Sequence, residues 1–211
     1  LGNIFSYYES SENRKKKHDE GSYDQWYTRD IHSAFYSSNR AWDDRKPYFV
    51  SASGTTSGAP AINDDLGLCP MLFFDLTAPI RLLADGTYDL VPEDPALAQS
   101  ISTMAEAGTP VQLKDIPVST AGNKVTVKIP ETGGEQEYIT LRENYDGVSG
   151  GYALMRNNTA PGARFHATPD GGDKPYQNSE LDTHVQNFAN NLNESVRKYL
   201  VEGSVLIGVS G

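Results

Sequence analysis

Cysteine is nearly absent from this chain, which contains a single one, Cys69, among 211 residues. No disulfide can therefore form within the chain. Cys69 lies in the most apolar stretch of the sequence, residues 66–76. We interpret it as a small buried hydrophobic residue.

Basic side chains are few relative to acidic ones: 18 Lys and Arg residues stand against 28 Asp and Glu residues, giving a net charge of −10. Nucleic acids and anionic membranes would repel such a chain, so we expect neither as a partner. One basic run, Arg14-Lys15-Lys16-Lys17-His18, is followed at once by Asp19-Glu20. We interpret this run as a solvated loop, with a phosphate-binding or partner-binding patch as the alternative.

Long apolar runs are missing too. None approaches the roughly 18–20 residues that cross a bilayer, so we expect no membrane insertion. The chain opens on Leu1-Gly2-Asn3 without a signal-peptide pattern. We therefore expect a processed product, a fragment, or a numbering that starts inside a longer chain.

Common catalytic and cofactor motifs are also lacking. The sequence contains no H-E-x-x-H, G-x-S-x-G, P-loop or G-x-G-x-x-G pattern. The four histidines show no paired metal-ligand spacing, and no nucleophile is paired with a base. We therefore expect a protein that is not an enzyme and that requires no cofactor.

The sequence is rich instead in short strand patterns separated by turn residues. Residues 66–76 predict a core strand, with a kink near Gly67 and Pro70. Asp85-Gly86 predicts the turn of a hairpin over residues 81–90. Further strands are predicted at residues 33–37, 47–51, 59–63, 111–118, 124–129, 137–142, 151–155 and 205–209.

Two helices are predicted near the end of the chain. Asn178 or Ser179 can cap the first, whose apolar stripe is formed by Leu181, Val185, Phe188 and Leu192. The second follows Asn193, with Val196, Tyr199 and Leu200 facing inward. A short helix at residues 95–105 would lie within a connector.

Two groups of side chains are candidates for binding. Loop aromatics fit a recognition surface or, equally well, packing beneath long loops; they are Tyr7, Tyr8, Tyr23, Trp26, Tyr27 and Trp42. Oxygen ligands for calcium could come from Asp43, Asn63, Asp64 and Asp65. Turn capping by the same carboxylates and amides is the interpretation that we favour.

Several segments resemble a known family. Gly67-Leu68-Cys69-Pro70-Met71-Leu72 resembles the G-[VL]-R-P-A-L ending of a bacterial and phage domain of unassigned function, DUF6273, although the family's arginine is absent from this segment. Residues 48–54 resemble its Y-V-x-S-x-G segment, residues 85–88 its D-G-x-Y tail, and Trp26 with residues 34–38 its Y-W-L-R-S-P segment. The family's beginning is resembled by the second half of this chain, at residues 138–141, 144–147, 151–156, 164–166 and 176–181.

The resemblance implies an α+β, C-type-lectin-like fold: a twisted, mostly antiparallel sheet, one or two helices and long ordered loops. The two halves of the family stand in reversed order here. Residues 1–91 resemble its C-terminal half, residues 92–110 form a connector, and residues 111–211 resemble its N-terminal half. The domain is then circularly permuted, cut in a loop, or completed by neighbouring chains in a fibre.

The function that the resemblance implies is that of a non-enzymatic phage virion protein of the tail, fibre or capsid surface. Its partners would be copies of itself and other virion proteins. The alternative is a bacterial surface adhesin that binds a host glycan or protein, and an enzyme ranks third. Formylglycine-generating enzymes, which share this fold, work through cysteines, so the single Cys69 argues against that chemistry.

Overall fold

The computed structural model describes residues 6–17, 23–24, 26–32, 46–58, 67–91, 110–145, 148–160 and 179–202. These residues form eleven strands: β1 (Lys16–Lys17), β2 (Tyr23–Asp24), β3 (Trp26–His32), β4 (Lys46–Val50), β5 (Thr56–Gly58), β6 (Met71–Asp75), β7 (Ile80–Leu82), β8 (Tyr88–Leu90), β9 (Thr126–Glu131), β10 (Gly134–Glu143) and β11 (Gly151–Arg156). The helices are α1 (Ser11–Arg14), α2 (Glu180–Asn190) and α3 (Glu194–Arg197), and 3-10 turns lie at Ser6–Glu9 and Leu113–Asp115.

A six-stranded sheet dominates the structure, with the strand order β6-β11-β10-β9-β8-β7. Its pairs are antiparallel except β8 with β9, which are parallel. A three-stranded sheet joins β3, β4 and β5, and β1 pairs with β2. The fold is therefore mixed α+β and sheet-dominated, as the sequence predicted.

The large sheet is assembled from both parts of the chain. Residues before 92 supply β6, β7 and β8, and residues after 110 supply β9, β10 and β11. The two parts meet where β6 pairs with β11, with Phe73 opposite Ala153. The outer edge of β6 is also bonded, because the N–H of Asp75 donates to the carbonyl of Tyr199 and the N–H of Val201 donates to that of Phe73.

The main core lies on one face of this sheet. Side chains at alternate strand positions, such as Leu72 and Phe74 of β6, are buried there. Leu192 and Val196 cover them from the helical side, and Leu113 and Ile116 cover them from the 3-10 turn. The other members of this cluster are Ala78, Ile80, Leu90, Val127, Ile129, Tyr138, Tyr152 and Leu154.

Most local predictions are confirmed. The core strand appears as β6, the hairpin as β7 and β8, and the predicted strands at 47–51, 124–129, 137–142 and 151–155 as β4, β9, β10 and β11. Gly86 adopts φ 83 in the hairpin turn, a conformation that glycine tolerates. Helix α2 begins after Ser179, whose side chain accepts from the N–H of Asp182.

The strand predicted at residues 111–118 is wrong, because that segment forms the turn Leu113–Asp115. The carboxylate of Asp115 accepts from the N–H groups of Val111 and Gln112 and thereby bends the chain. The predicted elements at residues 33–37, 59–63, 95–105 and 205–209 lie outside the described residues.

Candidate functional site

Residues 6–17, which we call the strap, lie on the face of the large sheet opposite the main core. The strap contains the turn Ser6–Glu9, helix α1 and strand β1. Ser10 caps α1 by accepting from the N–H of Glu12. At the far end of the strap, the N–H of Thr159 donates to the carbonyl of Lys17 at 2.9 Å.

Tyr7 and Tyr8 fix the strap to the sheet. They are 7% and 6% exposed and pack against Ile139, Leu141 and Ala153. The two rings meet edge to face with centroids 4.9 Å apart, a favourable arrangement for aromatic side chains. Burial raises the pKa of both phenols, that of Tyr8 to well above its ordinary value.

The burial of Tyr7 and Tyr8 does not fit a recognition surface, which was one of the two roles that the sequence left open for them. Their rings pack beneath the strap, which is the second interpretation that the sequence left open. They provide contact area within the fold instead of a surface for a partner.

Lys16 occupies the interface between the strap and the sheet, where its side chain is 1% exposed. Its ammonium Nζ donates to the hydroxyl of Tyr8 at 2.9 Å and to the carbonyl of Arg156 at 2.6 Å. Burial, with smaller effects of the charges on Lys124 and Arg156, lowers the pKa of Lys16 to about 8, while Cys69 acts in the opposite direction. Because burial disfavours the charged form, a buried lysine of this kind loses its proton at a pH closer to 7 than an exposed lysine does.

The interpretation of residues 14–18 as a solvated loop is wrong for Arg14 and Lys16, whereas Lys17 is exposed as predicted. Besides Lys16, Arg14 is committed to the fold: it donates to the backbone carbonyls of Tyr8, Glu9 and Gly54 at 2.6 to 2.9 Å. These groups hold the protein's own chain, which does not favour the phosphate-binding alternative. His18 lies outside the described residues.

A buried ion pair lies beside the Lys16 site. Arg156 Nε is 3.0 Å from a carboxylate oxygen of Glu131, and these side chains are 3% and 10% exposed. Tyr138 donates its hydroxyl to the same oxygen at 2.8 Å. The carboxylate of Glu131 on β9 thus accepts from both Arg156 on β11 and Tyr138 on β10, and the backbone carbonyl of Arg156 accepts from Lys16.

A turn rich in hydroxyl groups meets the other side of the strap. The side chains of Ser51 and Thr55 are hydrogen-bonded at 2.7 Å, and Ser53 approaches both. Gly54 in this turn has φ 81. A Cβ atom at Gly54 would lie 1.9 Å from the carbonyl oxygen of Ser11, so only glycine permits this contact between turn and strap.

The other predicted aromatic residues are only partly located. Tyr23 lies on β2, and Trp26 and Tyr27 lie on β3, opposite Val50 and Phe49 of β4. The sequence predicted that these three residues lie in loops, but the structure places them on strands. Trp42 lies outside the described residues, so its role in recognition stays a prediction.

The predicted calcium ligands, Asp43, Asn63, Asp64 and Asp65, also lie outside the described residues, and the calcium site stays a prediction. Among the residues that the structure does describe, no group of three or more His, Cys, Asp or Glu side chains could hold a metal ion. His32 ends β3, and His184 is exposed on α2.

Sequence reasoning missed Lys16 as a structural residue. Its neighbours Arg14, Lys15 and Lys17 are all basic, so hydropathy carries no signal that one of the four is buried. The available signal is alternation, since a strand at Lys16–Lys17 must direct successive side chains to opposite sides. The tyrosine pair eight residues earlier indicates an apolar partner on one of those sides.

Comparisons of the chain with family models, curated proteins and solved structures find no match. No helix in the described part of the chain is long and apolar enough to cross a membrane.

Proposed function

We propose that this chain is a non-enzymatic structural or interaction protein of a phage virion, in the tail, the fibre or the capsid decoration, and that its domain is C-type-lectin-like. The proposal rests on the family resemblance and on the way in which the fold uses its buried charges. Lys16 donates to the backbone carbonyl of Arg156, and the Arg156 side chain donates to the carboxylate of Glu131. Tyr138 donates to the same carboxylate. This network ties distant segments of the chain together, as a durable scaffold requires.

The joining of the two chain parts supports the idea of two reversed half-domains. The resemblance assigns β10 and β11 to the family's beginning and β6 to its end. In the structure β11 pairs with β6 within one chain. This intrachain pairing is the arrangement that a permuted or cut domain requires. The virion role would then be carried by the surface of a closed domain.

The described contacts favour assembly over adhesion through Tyr7 and Tyr8, because both side chains are already used within the chain. The partners in the proposal are copies of this chain and other virion proteins. The bacterial adhesin that binds a host glycan or protein is kept as an outcome of the test.

The test is mass spectrometry of gradient-purified virions of the phage that encodes the chain, together with the native mass of the purified protein. A virion component is present at a fixed copy number in particles that band sharply. If the chain is absent from such particles and fractionates with the bacterial envelope, the virion proposal fails and the adhesin takes its place.

A further inference from the structure

Charged side chains cross the large sheet in a single row, on the face opposite the main core. Arg81 on β7 is the Cα partner of Asp89 on β8. Asp89 is in turn the partner of Lys128 on β9, and Lys128 that of Glu137 on β10. Residues directly opposite each other on paired strands point to the same face. We call these four residues the charge row, and their charges alternate in sign from one strand to the next.

The two ends of the charge row are its most exposed positions. The side chains of Arg81 and Glu137 are 48% and 41% exposed, whereas that of Asp89 is largely buried. Arg81 pairs with Asp89, Glu137 pairs with Lys124 at 3.3 Å, and the half-buried Lys128 donates to the hairpin turn. Ion pairs this exposed contribute little, so water still solvates the charges at both ends of the row.

The strap covers only one half of this face. It packs on Ile139, Leu141 and Ala153, which lie on β10 and β11, with Phe73 of β6 at the margin. Strands β9, β8 and β7 follow on the other side of β10 and carry three residues of the charge row. The face therefore has a step, with the strap raised on one half and the charge row on the lower half.

A row of four alternating charges is complementary to a second copy of itself. A two-fold axis parallel to the strands, passing between Asp89 and Lys128, reverses the row in the second copy. Arg81 then faces the partner's Glu137, and Asp89 faces the partner's Lys128. A two-fold axis parallel to the row would instead oppose each residue to its own equivalent and bring like charges together. The charges therefore select the first axis.

The same axis fits the step in the face. It places each strap beyond β7, at the edge of the partner's sheet, so that the two straps do not meet. The axis parallel to the row would bring strap against strap and hold the lower halves apart. The row spans about 14 Å, which is three inter-strand spacings of about 4.8 Å. A contact of this size belongs to the small, polar class of interfaces, for which we expect reversible association.

We propose that the charge row docks a second copy of this chain, face to face, about a two-fold axis parallel to the strands. The inference rests on the assembly role proposed above for the kind of partner, and the row supplies the surface and the axis. Each chain carries a net charge of −10, so two copies repel one another overall. They can meet only where their local charges are complementary.

The test uses two charge-reversed variants of the full chain, Arg81→Glu and Glu137→Arg, in sedimentation equilibrium over a concentration series. Either variant alone opposes like charges in both symmetric contacts, so its dimer dissociation constant should rise by about tenfold or more. In an equal mixture of the two variants, both contacts join opposite charges. The mixture should therefore form a heterodimer about as stable as the unmodified dimer.

The mixture also separates the charge row from overall repulsion. Glu137→Arg reduces the net charge from −10 to −8, so overall repulsion alone predicts tighter association, whereas the row predicts weaker association. Glu194→Arg on α3 is the matched control, since it changes the net charge equally on the helical side of the sheet. That control should dimerise at least as well as the unmodified chain.

A second measurement needs no variant. Between dilute and concentrated solutions of the unmodified chain, amide resonances of β7, β8 and β9 and of the strap should shift, and those of α2 should not. The proposal is overturned by a chain that stays monomeric, by shifts centred on α2, or by folded variants that associate as the unmodified chain does. Folded variants whose mixture stays monomeric overturn it too.

These outcomes are distinct from failure of the virion proposal. A monomer found at a fixed copy number in purified virions would overturn this interface and support the virion role. A dimer with the charge-swap behaviour, in a chain that fractionates with the bacterial envelope, would support the interface and overturn the virion role.

Discussion

Arg156 and Glu131 form a buried ion pair. We expect its removal to lower the free energy of unfolding substantially. Both side chains are largely buried, and Tyr138 donates to the same carboxylate. Replacing one member leaves the other as a buried charge without its counterion, which costs about 3–5 kcal/mol. We predict that Glu131→Gln lowers the free energy of unfolding by about 3 kcal/mol in urea titrations.

Glu137 provides the matched control for that substitution. It pairs with Lys124 at 3.3 Å, and these side chains are 41% and 40% exposed. Because exposed pairs contribute little, Glu137→Gln should cost less than about 1 kcal/mol. Equal losses in the two glutamine variants would contradict the role assigned to the buried pair.

Two glycines with nearly the same backbone conformation allow a second prediction at this scale. Gly54 and Gly86 have φ 81 and φ 83, but only at Gly54 would a Cβ atom collide with another segment, at Ser11. Gly86→Ala should therefore cost about 1 kcal/mol, the strain of a left-handed residue. Gly54→Ala should cost more than about 2 kcal/mol, since turn and strap must also separate. Thermal or urea unfolding that ranks the two alanine variants equally would show that the strap does not rest on this turn.

At the scale of the element, helix α2 depends on its cap. Ser179 is fully buried, and its hydroxyl accepts from the N–H of Asp182 at 2.9 Å. We predict that Ser179→Ala lowers the free energy of unfolding by about 1 kcal/mol, whereas Ser179→Asp retains most of the stability. Ser10→Ala, at the exposed cap of the four-residue helix α1, should have a smaller effect. A larger loss from Ser10→Ala would contradict this order.

Elements with a strong local signal were predictable from the sequence. The cap and apolar stripe of α2, the Asp85-Gly86 hairpin and the alternation in β9 each depend on residues a few positions apart. The segment at residues 111–118 was not predictable in this way, because the carboxylate of Asp115 captures backbone N–H groups and overrides its strand-like composition.

The strap could not be predicted because its energetics depend on partners more than a hundred residues away. Lys16 meets Arg156 across 140 positions, and Asn13 meets Ala121 across 108. A basic run and a tyrosine pair look solvent-exposed until the sheet that they cover is known. The candidate site could therefore be found only in the tertiary structure, whereas most of the strands and the helices α2 and α3 could be predicted from the sequence.

At the scale of the whole molecule, one chain completes its own six-stranded sheet. Strands β6, β7 and β8 flank β9, β10 and β11, which follow more than thirty residues later in the chain. The strap on one face and the helices on the other then enclose that sheet. If β6 were supplied by a neighbouring chain, the protein would assemble by strand exchange and the strap would bridge two copies.

The most direct test of this claim is the contact between Phe73 and Ala153. They are Cα partners in the antiparallel pair β6–β11, where the α-hydrogens of a non-hydrogen-bonded pair lie close together. A nuclear Overhauser effect between these hydrogens should appear in uniformly labelled protein. In a refolded mixture of labelled and unlabelled chains, it should be absent from spectra filtered for contacts between chains. A filtered signal between Phe73 of one chain and Ala153 of another would contradict the closed single-chain sheet.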